Sequence, residues 1–144
     1  MQVKIKKLHK DAVIPTYAKP NDAGMDLVAI SLDIDEISGQ ANYGTGLAFE
    51  IPAGYVGLIF PRSSIRKTAL SLTNCVGVID SGYRGEVSFT FRVHDDFDAF
   101  GAMYRVGERI GQIIIMPYPQ IEFEEVEELT DTERGAGSFG STGA

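Results

Sequence analysis

Short apolar runs, several of them alternating with polar residues, follow one another along most of this chain. They are rich in Val, Ile, Phe and Tyr, as β-strands are. The runs are residues 3–8, 25–34, 45–51, 55–60, 85–93 and 109–118. Turn sequences separate them, namely KPNDAG, ISGQANYG, IPAG, DSGYRG and YPQ. This pattern predicts an all-β domain of the sandwich or barrel type.

Three segments depart from the strand pattern. Residues 63–72 (SSIRKTALSL) have helical spacing and predict one short helix of two or three turns, with Ser63 or Ser64 placed to cap it. Residues 94–104 mix acids with phenylalanines and predict a hairpin or a surface loop. Residues 130–144 are rich in glycine and poor in apolar residues. We therefore predict a β domain over residues 1–129 and a mobile, Gly-rich C-terminal arm over residues 130–144.

Composition narrows the class of protein. With 144 residues, 44% of them hydrophobic and 23% charged, the chain predicts one soluble globular domain. No apolar stretch approaches the roughly 20 residues that cross a bilayer, and the first residues lack the apolar core of a secretory signal. A single cysteine, Cys75, allows no internal disulfide, so a reducing cytosol is expected. The net charge of −7 argues against a protein that grips duplex nucleic acid.

Several short segments have both a chemical and an ordinary structural interpretation. RGAGSFGSTG offers Arg134, backbone donors, hydroxyls and an aromatic face at Phe139 for a nucleotide, or is a plain disordered end. Residues 61–70 (PRSSIRKTAL) are either an anion site or a capping turn. Asp26 either holds the water shell of a Mg²⁺ or belongs to an Asx-type turn.

Asp80 stands after an apolar run and before Ser-Gly-Tyr, in GVIDSGYRGEV. A carboxylate at a strand end can activate water for attack at phosphorus. Asp before Ser-Gly is equally a common turn sequence, and on this stretch alone the turn is the better interpretation.

Taken together, these segments point to one protein family far more specifically than any of them does alone. AGMDL, PRSSIRKTAL, GVIDSGYRGEV, RIGQIII and RGAGSFGSTG stand in the order, and at about the spacing, of the five motifs of trimeric deoxyuridine triphosphatases. The chain resembles that family from about residue 20 onward. The resemblance implies a jelly-roll fold and an enzyme that hydrolyses dUTP to dUMP and pyrophosphate, which limits uracil incorporation into DNA and supplies dUMP.

The resemblance also implies a role for each matching residue. Asp80 matches the aspartate that activates the water attacking the α-phosphorus, and Tyr83 matches the tyrosine under the deoxyribose. Asp26 resembles the acid that holds a hydrated Mg²⁺. The other matches are Asn74 with the backbone of Val78 and Ile79 for uracil, Arg62, Ser63, Ser64 and Gln112 for the phosphates, Phe139 as a lid over uracil, and Arg134, Gly140, Ser141 and Thr142 around the γ-phosphate.

Active sites of this family lie between the subunits of a homotrimer. One chain supplies the phosphate motifs, a second the uracil hairpin and a third the C-terminal arm, which agrees with an arm that can extend up to about 50 Å. The expected partners are therefore dUTP and further copies of this chain, with no nucleic acid and no membrane. The expected compartment is the cytoplasm, or the host cytoplasm if the source is a virus.

Three other functions fit the sequence less well than dUTP hydrolysis. A dCTP deaminase shares the fold but needs a glutamate acting on the base amino group, and it lacks the C-terminal arm motif. A dUTP-sensing or partner-binding protein is disfavoured as the sole role by the intact motifs. A carbohydrate-binding sandwich is disfavoured because the chain has no Trp.

The chain also departs from the family pattern without losing a catalytic group. Met25 replaces a usual tyrosine, Ile65-Arg66 replaces part of Gly-Leu-Ala, Gly111 replaces a common alanine, Ser138 replaces a common glycine, and Ser88 stands where lysine or an apolar residue is frequent. Ser138 is expected to alter how readily the arm closes.

Overall fold

Ten β-strands form nearly all of the regular structure in the computed structural model, which describes residues 1–94 and 103–138. The strands are Lys4–Lys7 (β1), Met25–Val28 (β2), Ser31–Asp35 (β3), Gln40–Gly44 (β4), Leu47–Glu50 (β5), Tyr55–Pro61 (β6), Leu70–Leu72 (β7), Gly77–Ile79 (β8), Ser88–Val93 (β9) and Arg109–Pro117 (β10). A 3₁₀ helix, Ser63–Lys67, follows β6. The predicted all-β class is confirmed.

The strands pair antiparallel in three sheets. One four-stranded sheet has the order β2-β10-β6-β8, the other has the order β3-β4-β9-β7, and β1 pairs with β5. Alternating side chains of both large sheets meet in one core, because every second residue of a strand points to the same face. Phe89 and Phe91 of β9 and Ile113 of β10 are fully buried there. The result is a sandwich, which agrees with the predicted jelly-roll-like architecture.

Several predicted elements need correction. The helix predicted over residues 63–72 is limited to Ser63–Lys67, and Leu70–Leu72 is a strand paired with β9. Neither serine caps the helix, since Arg62 occupies the N-cap position and no side-chain cap hydrogen bond forms. The run 25–34 divides into β2 and β3.

Residues 37–44 (ISGQANYG), predicted to form a turn, do so only in part. Its second half is strand β4, whose Ala41 and Tyr43 are buried in the core. Most of the segment 94–104, predicted as a hairpin or loop, lies outside the described residues.

Regular structure in the described part of the chain ends at Pro117. Residues 118–138 contain no helix or strand, and all of them are exposed. They include the large apolar side chains of Ile121, Phe123 and Leu129. No helix among the described residues is long and apolar enough to span a membrane.

Candidate active site

Five predicted site residues line one cleft of about 190 Å³, called here the hairpin cleft. They are Asn74, Val78, Ile79, Asp80 and Tyr83, joined by Ile59, Gly77, Glu86, Val87 and Ser88. The cleft lies at β8, an edge strand that pairs with β6. An edge strand leaves N–H and C=O groups without a strand partner on its outer side. Those backbone groups can read the hydrogen-bonding edge of a planar base.

Asp80 directly follows β8 and begins a β-turn. Its carbonyl accepts a hydrogen bond from the Tyr83 backbone N–H at 3.0 Å. The Arg84 guanidinium reinforces the turn by donating to the carbonyls of Ser81 and Tyr83 at 2.7 and 2.8 Å. The turn interpretation of Asp80 is thus correct for its backbone, while the side chain lines the cleft.

Tyr83 is held against the return of the hairpin. Its hydroxyl donates to the Glu86 carbonyl at 3.0 Å, and its ring lies over Gly85, where a Cβ would overlap the phenol. The ring is 45% exposed, so one face remains available to a ligand. A ring fixed at both its body and its hydroxyl presents a rigid surface to the cleft.

Glu86 and Thr45 position this hairpin, although neither was a predicted site residue. The Glu86 carboxylate accepts from the Gly46 backbone N–H at 2.7 Å, and the buried Thr45 hydroxyl donates to the Val87 carbonyl at 2.6 Å. Both contacts join the end of the hairpin to the entry of β5. The motif YRGE contained Glu86, but its partner is 40 residues away in sequence, so no local pattern reveals the contact.

A second group of functional residues surrounds Asp26 on β2. Its carboxylate accepts from Arg62 Nε at 2.7 Å and from Arg109 Nη1 at 3.0 Å. We call Asp26, Arg62 and Arg109 the Asp26 cluster. Its one carboxylate and two guanidinium groups leave one net positive charge, which favours an anionic ligand. Arg109 was not among the predicted site residues.

Gln112 and Ser64 border this cluster. Gln112 pairs with Asp26 across the sheet, and its side chain donates to the Pro61 carbonyl at 3.3 Å. Gln112 and Asp26 both line a cleft of about 330 Å³. Arg62 Nη1 donates to Ser64 Oγ at 3.4 Å. Ser63 begins the 3₁₀ helix and is exposed. The predicted phosphate residues thus cluster on one part of the surface.

The hairpin cleft and the Asp26 cluster lie at opposite edges of one sheet. Strands β10 and β6 separate β2 from β8, so at about 4.8 Å per strand the two edges are about 14 Å apart. Among the described residues, none lines both the hairpin cleft and the cleft beside Gln112. A single chain therefore does not bring Asp80 to its own Asp26 cluster.

Comparison with known proteins decides the family. The dUTPase family model matches residues 10–143. A deoxyuridine 5′-triphosphate nucleotidohydrolase of Nautilia profundicola is 47% identical over 144 residues, covering 99% of each chain. The solved structure of a mutant dUTPase of Staphylococcus bacteriophage 80alpha with dUpNHpp superposes with a TM-score of 0.85, at 31% identity and 99% coverage of both chains. The chain belongs to the dUTPase family.

These relatives do not favour the deaminase alternative. A further dUTPase, a mutant from phage phi11 of S. aureus, has a TM-score of 0.73 at 26% identity, covering 89% of this chain and 98% of that one. That structure reveals the coordination of a structural Mg(II) ion in the phage enzyme.

The family implies a magnesium ion, and the residues near Asp26 fit an ion that is held through its bound water. Within residues 1–94 and 103–138, no three His, Cys, Asp or Glu side chains converge as a direct metal site. A carboxylate has about four lone-pair positions, and the two arginines use two of those on Asp26. The others can accept hydrogen bonds from metal-bound water, since Mg²⁺ usually keeps several of its waters.

The structure describes the predicted C-terminal arm as far as Ser138. Arg134 Nε donates to the Gly137 carbonyl at 3.1 Å, so this side chain contacts its own segment rather than the hairpin cleft. Phe139, Gly140, Ser141 and Thr142 lie outside the described residues. Their predicted contacts, and the division of the chain at residue 129, stay predictions.

Proposed function

We propose that this chain hydrolyses dUTP to dUMP and pyrophosphate, with the Asp80 carboxylate activating the water that attacks the α-phosphorus. Membership of the dUTPase family supports the reaction class. The observation that carries the assignment of residues is the hairpin cleft, which places Asp80 beside Asn74 and Tyr83 and the unpaired edge of β8. The attacking water gives a proton to Asp80 as its oxygen bonds to the α-phosphorus. The bond from that phosphorus to the oxygen bridging the α- and β-phosphates breaks, and pyrophosphate leaves with that oxygen.

The geometry of the hairpin cleft explains how a deoxyuridine would be selected. The side-chain amide of Asn74 and the backbone of Val78 and Ile79 provide donors and acceptors for the uracil edge. Tyr83 packs under the sugar, where a ribose 2′-hydroxyl has no room because the ring is held by Glu86 and Gly85. A site that fixes its polar groups in this way rejects a poorly matched base strongly.

The Asp26 cluster would bind the phosphates. Arg62 and Arg109 supply positive charge, while Ser63, Ser64 and Gln112 supply neutral hydrogen-bonding groups. Mg²⁺ held through water on Asp26 would neutralise phosphate charge when bound. Positioning and charge stabilisation are the main demands of phosphoryl transfer, and these groups can meet both. The predicted C-terminal arm would then add Arg134, Phe139, Gly140, Ser141 and Thr142 and exclude water.

A homotrimer with shared sites is supported by the distance between the two half-sites. Asp80 and the Asp26 cluster sit on opposite edges of one sheet, so a hairpin from one subunit must meet the cluster of another. The segment after β10 supports the same proposal, because Phe123 is 95% exposed and Leu129 is 87% exposed. Such side chains are costly in water and are normal at interfaces.

Strand β1 is the surface that best fits that segment. Residues 121–128 alternate apolar residues with five glutamates, whereas β1 carries Lys4, Lys6 and Lys7 around Ile5. Beside β1 lies an apolar groove of about 260 Å³ that includes Val3, Ile5 and Tyr17. Among the described strands β1 pairs with β5 alone, so its second edge can accept a strand from a neighbouring subunit.

The free thiol of Cys75 is exposed, which supports a reducing compartment, and we propose the cytoplasm.

The proposed reaction is tested by pyrophosphate release from dUTP, dCTP, dTTP and UTP. Asp80→Asn keeps the size of the side chain but removes its basicity, and it should lower kcat on dUTP by about 10²–10⁴-fold. Asp33→Asn, on an exposed position of β3, is the matched control and should retain full activity. Equal rates on dUTP and UTP, or full activity of Asp80→Asn, would contradict the proposal. Ammonia release from dCTP would indicate a deaminase instead.

A further inference from the structure

Tyr104 links the hydrophobic core to the predicted phosphate site. The residue is 7% exposed, and its hydroxyl lies 2.9 Å from Ser64 Oγ at the start of the 3₁₀ helix. Neither composition nor the family motifs single out Tyr104. Its side chain reaches a site residue that is 40 positions away in sequence.

The ring of Tyr104 is fixed by the core around it. It packs against Tyr43 and Phe91 with ring centroids 6.5 and 6.1 Å apart, and the Tyr43 hydroxyl donates to the Tyr104 carbonyl at 2.9 Å. Burial is the main cause that raises the pKa of Tyr43 to about 12, so Tyr43 stays protonated and keeps donating. Side chain and backbone of Tyr104 are therefore both held in place.

The hydrogen-bond inventory sets the direction of the Tyr104–Ser64 contact. Either hydroxyl could donate in this part-buried contact, and Ser64 Oγ is the single partner of the Tyr104 hydroxyl among the described residues. We assign Tyr104 as the donor, because its phenol proton then has an acceptor within the protein. Arg62 Nη1 also donates to Ser64 Oγ, at 3.4 Å, since a guanidinium has no acceptor.

Two donors occupy both lone pairs of Ser64 Oγ, so the hydroxyl proton of Ser64 must point away from the protein core. We propose that Tyr104 is a positioning residue that turns the Ser64 hydroxyl into a dedicated hydrogen-bond donor toward a phosphate oxygen of the substrate. This inference rests on the proposed role of Ser64 in phosphate binding. Tyr104 itself does not touch the substrate.

Tyr104→Phe tests the inference because it removes one oxygen and keeps the ring. The Ser64 hydroxyl then regains a free lone pair and can rotate, so binding of dUpNHpp should weaken about five- to tenfold. Deoxyuridine lacks phosphates, so its dissociation constant should not change. A loss of packing would affect both ligands, which separates positioning from a structural effect. Thr90→Val removes another hydroxyl, which donates to Asn42 Oδ1 at 2.7 Å, and should lower Tm without weakening dUpNHpp binding selectively.

Ser64→Ala closes the double-mutant cycle. Alone it should weaken dUpNHpp binding, and adding Tyr104→Phe to it should have no further effect. Two outcomes would overturn the inference while leaving the proposed function intact. In the first, Tyr104→Phe weakens dUpNHpp binding as much in the Ser64→Ala background as it does alone. In the second, Ser64→Ala binds dUpNHpp weakly but Tyr104→Phe binds it as the wild type does. Full binding by Ser64→Ala would refute the phosphate role of Ser64, and the role of Tyr104 with it.

Discussion

Arg109 acquires its place beside Asp26 through a single irregularity of β10. The register against β2 shifts between Arg109 and Gly111, so one extra residue interrupts the alternation of the strand. Strict alternation from the buried Ile113 and Gly111 would turn Arg109 into the core. The irregularity instead directs its side chain outward, where it is 56% exposed and contacts Asp26. Period-two reasoning therefore could not identify Arg109, whereas Arg62 and Asp26 were predictable from their motifs.

Removing the charge of Arg109 should weaken substrate binding more than catalysis. Arg109→Gln leaves Asp26 and Arg62 as a neutral pair, so the cluster attracts a triphosphate less. Because exposed ion pairs contribute up to about 1 kcal/mol, KM for dUTP should rise roughly fivefold with kcat nearly constant. The effect should shrink as salt increases, since ions screen exposed charges.

Arg92→Gln is the charge-matched control for that measurement. Arg92 lies on β9 in the other four-stranded sheet, opposite Gln40 and Ser71. Its removal changes net charge equally, so a rise in KM of the same size would assign the effect to long-range charge. A large fall in kcat in Arg109→Gln would show that Arg109 acts beyond binding.

At the level of elements, the predicted runs contain seven of the ten described strands and miss β4, β7 and β8. β6, β9 and β10 are rich in β-branched and aromatic residues, and their local pattern agrees with their final state. Residues 63–72 place Ile65, Ala69 and Leu72 at helical spacing, but pairing of Leu70 and Leu72 with β9 prevails over that spacing. In β4, Asn and Gly obscure a strand whose two buried positions are set by β3 and β9. The errors at β7 and β4 both arise because pairing with neighbouring strands outweighs a weak local preference for another structure.

Gly111 illustrates the same dependence between elements. A Cβ at this position of β10 would overlap the ring of Phe89 on β9. The family's common alanine therefore does not fit this core, and Gly111→Ala should lower the free energy of unfolding by about 1–3 kcal/mol through overpacking. Chemical denaturation measures the change. Gly82→Ala, where a Cβ meets open space, should be close to neutral.

Phe89→Leu provides the reciprocal change. It vacates ring volume next to Gly111, so the double variant Phe89→Leu with Gly111→Ala should be less destabilised than the sum of the two single variants. Additive losses would mean that the overlap with Phe89 is relieved in some other way.

In the whole molecule, the distance between the two half-sites determines where a complete active site can form. The Asp80 hairpin and the Asp26 cluster are separated by the width of one sheet, about 14 Å, whereas a general base must approach its water within about 3 Å. A shared site places two intact half-sites from different chains together. A self-contained site would require the sheet to rearrange, which its dense hydrophobic core opposes.

Co-expression of two inactive chains distinguishes these possibilities. One chain carries Asp80→Asn and the other carries Arg62→Gln, and each should form inactive homotrimers. With random assembly, a site needs Asp80 from one specific subunit and Arg62 from another, so about one quarter of the sites should be intact. Co-purified mixtures should therefore recover about a quarter of wild-type kcat for dUTP.

A variant in the segment after β10 and two control variants give this experiment its sharpest contrast. Co-expression of Asp80→Asn with Asp80→Ala should recover nothing, because no intact hairpin is present. Adding Phe123→Asp to both complementing chains should abolish the recovery and convert the trimer to monomer in light scattering, since a carboxylate replaces an interface side chain. Ile37→Asp, at a turn position that is fully exposed, should affect neither. If the two chains form trimers but recover no activity, each active site lies within one chain. If Phe123→Asp still forms the trimer, Phe123 is not an interface side chain.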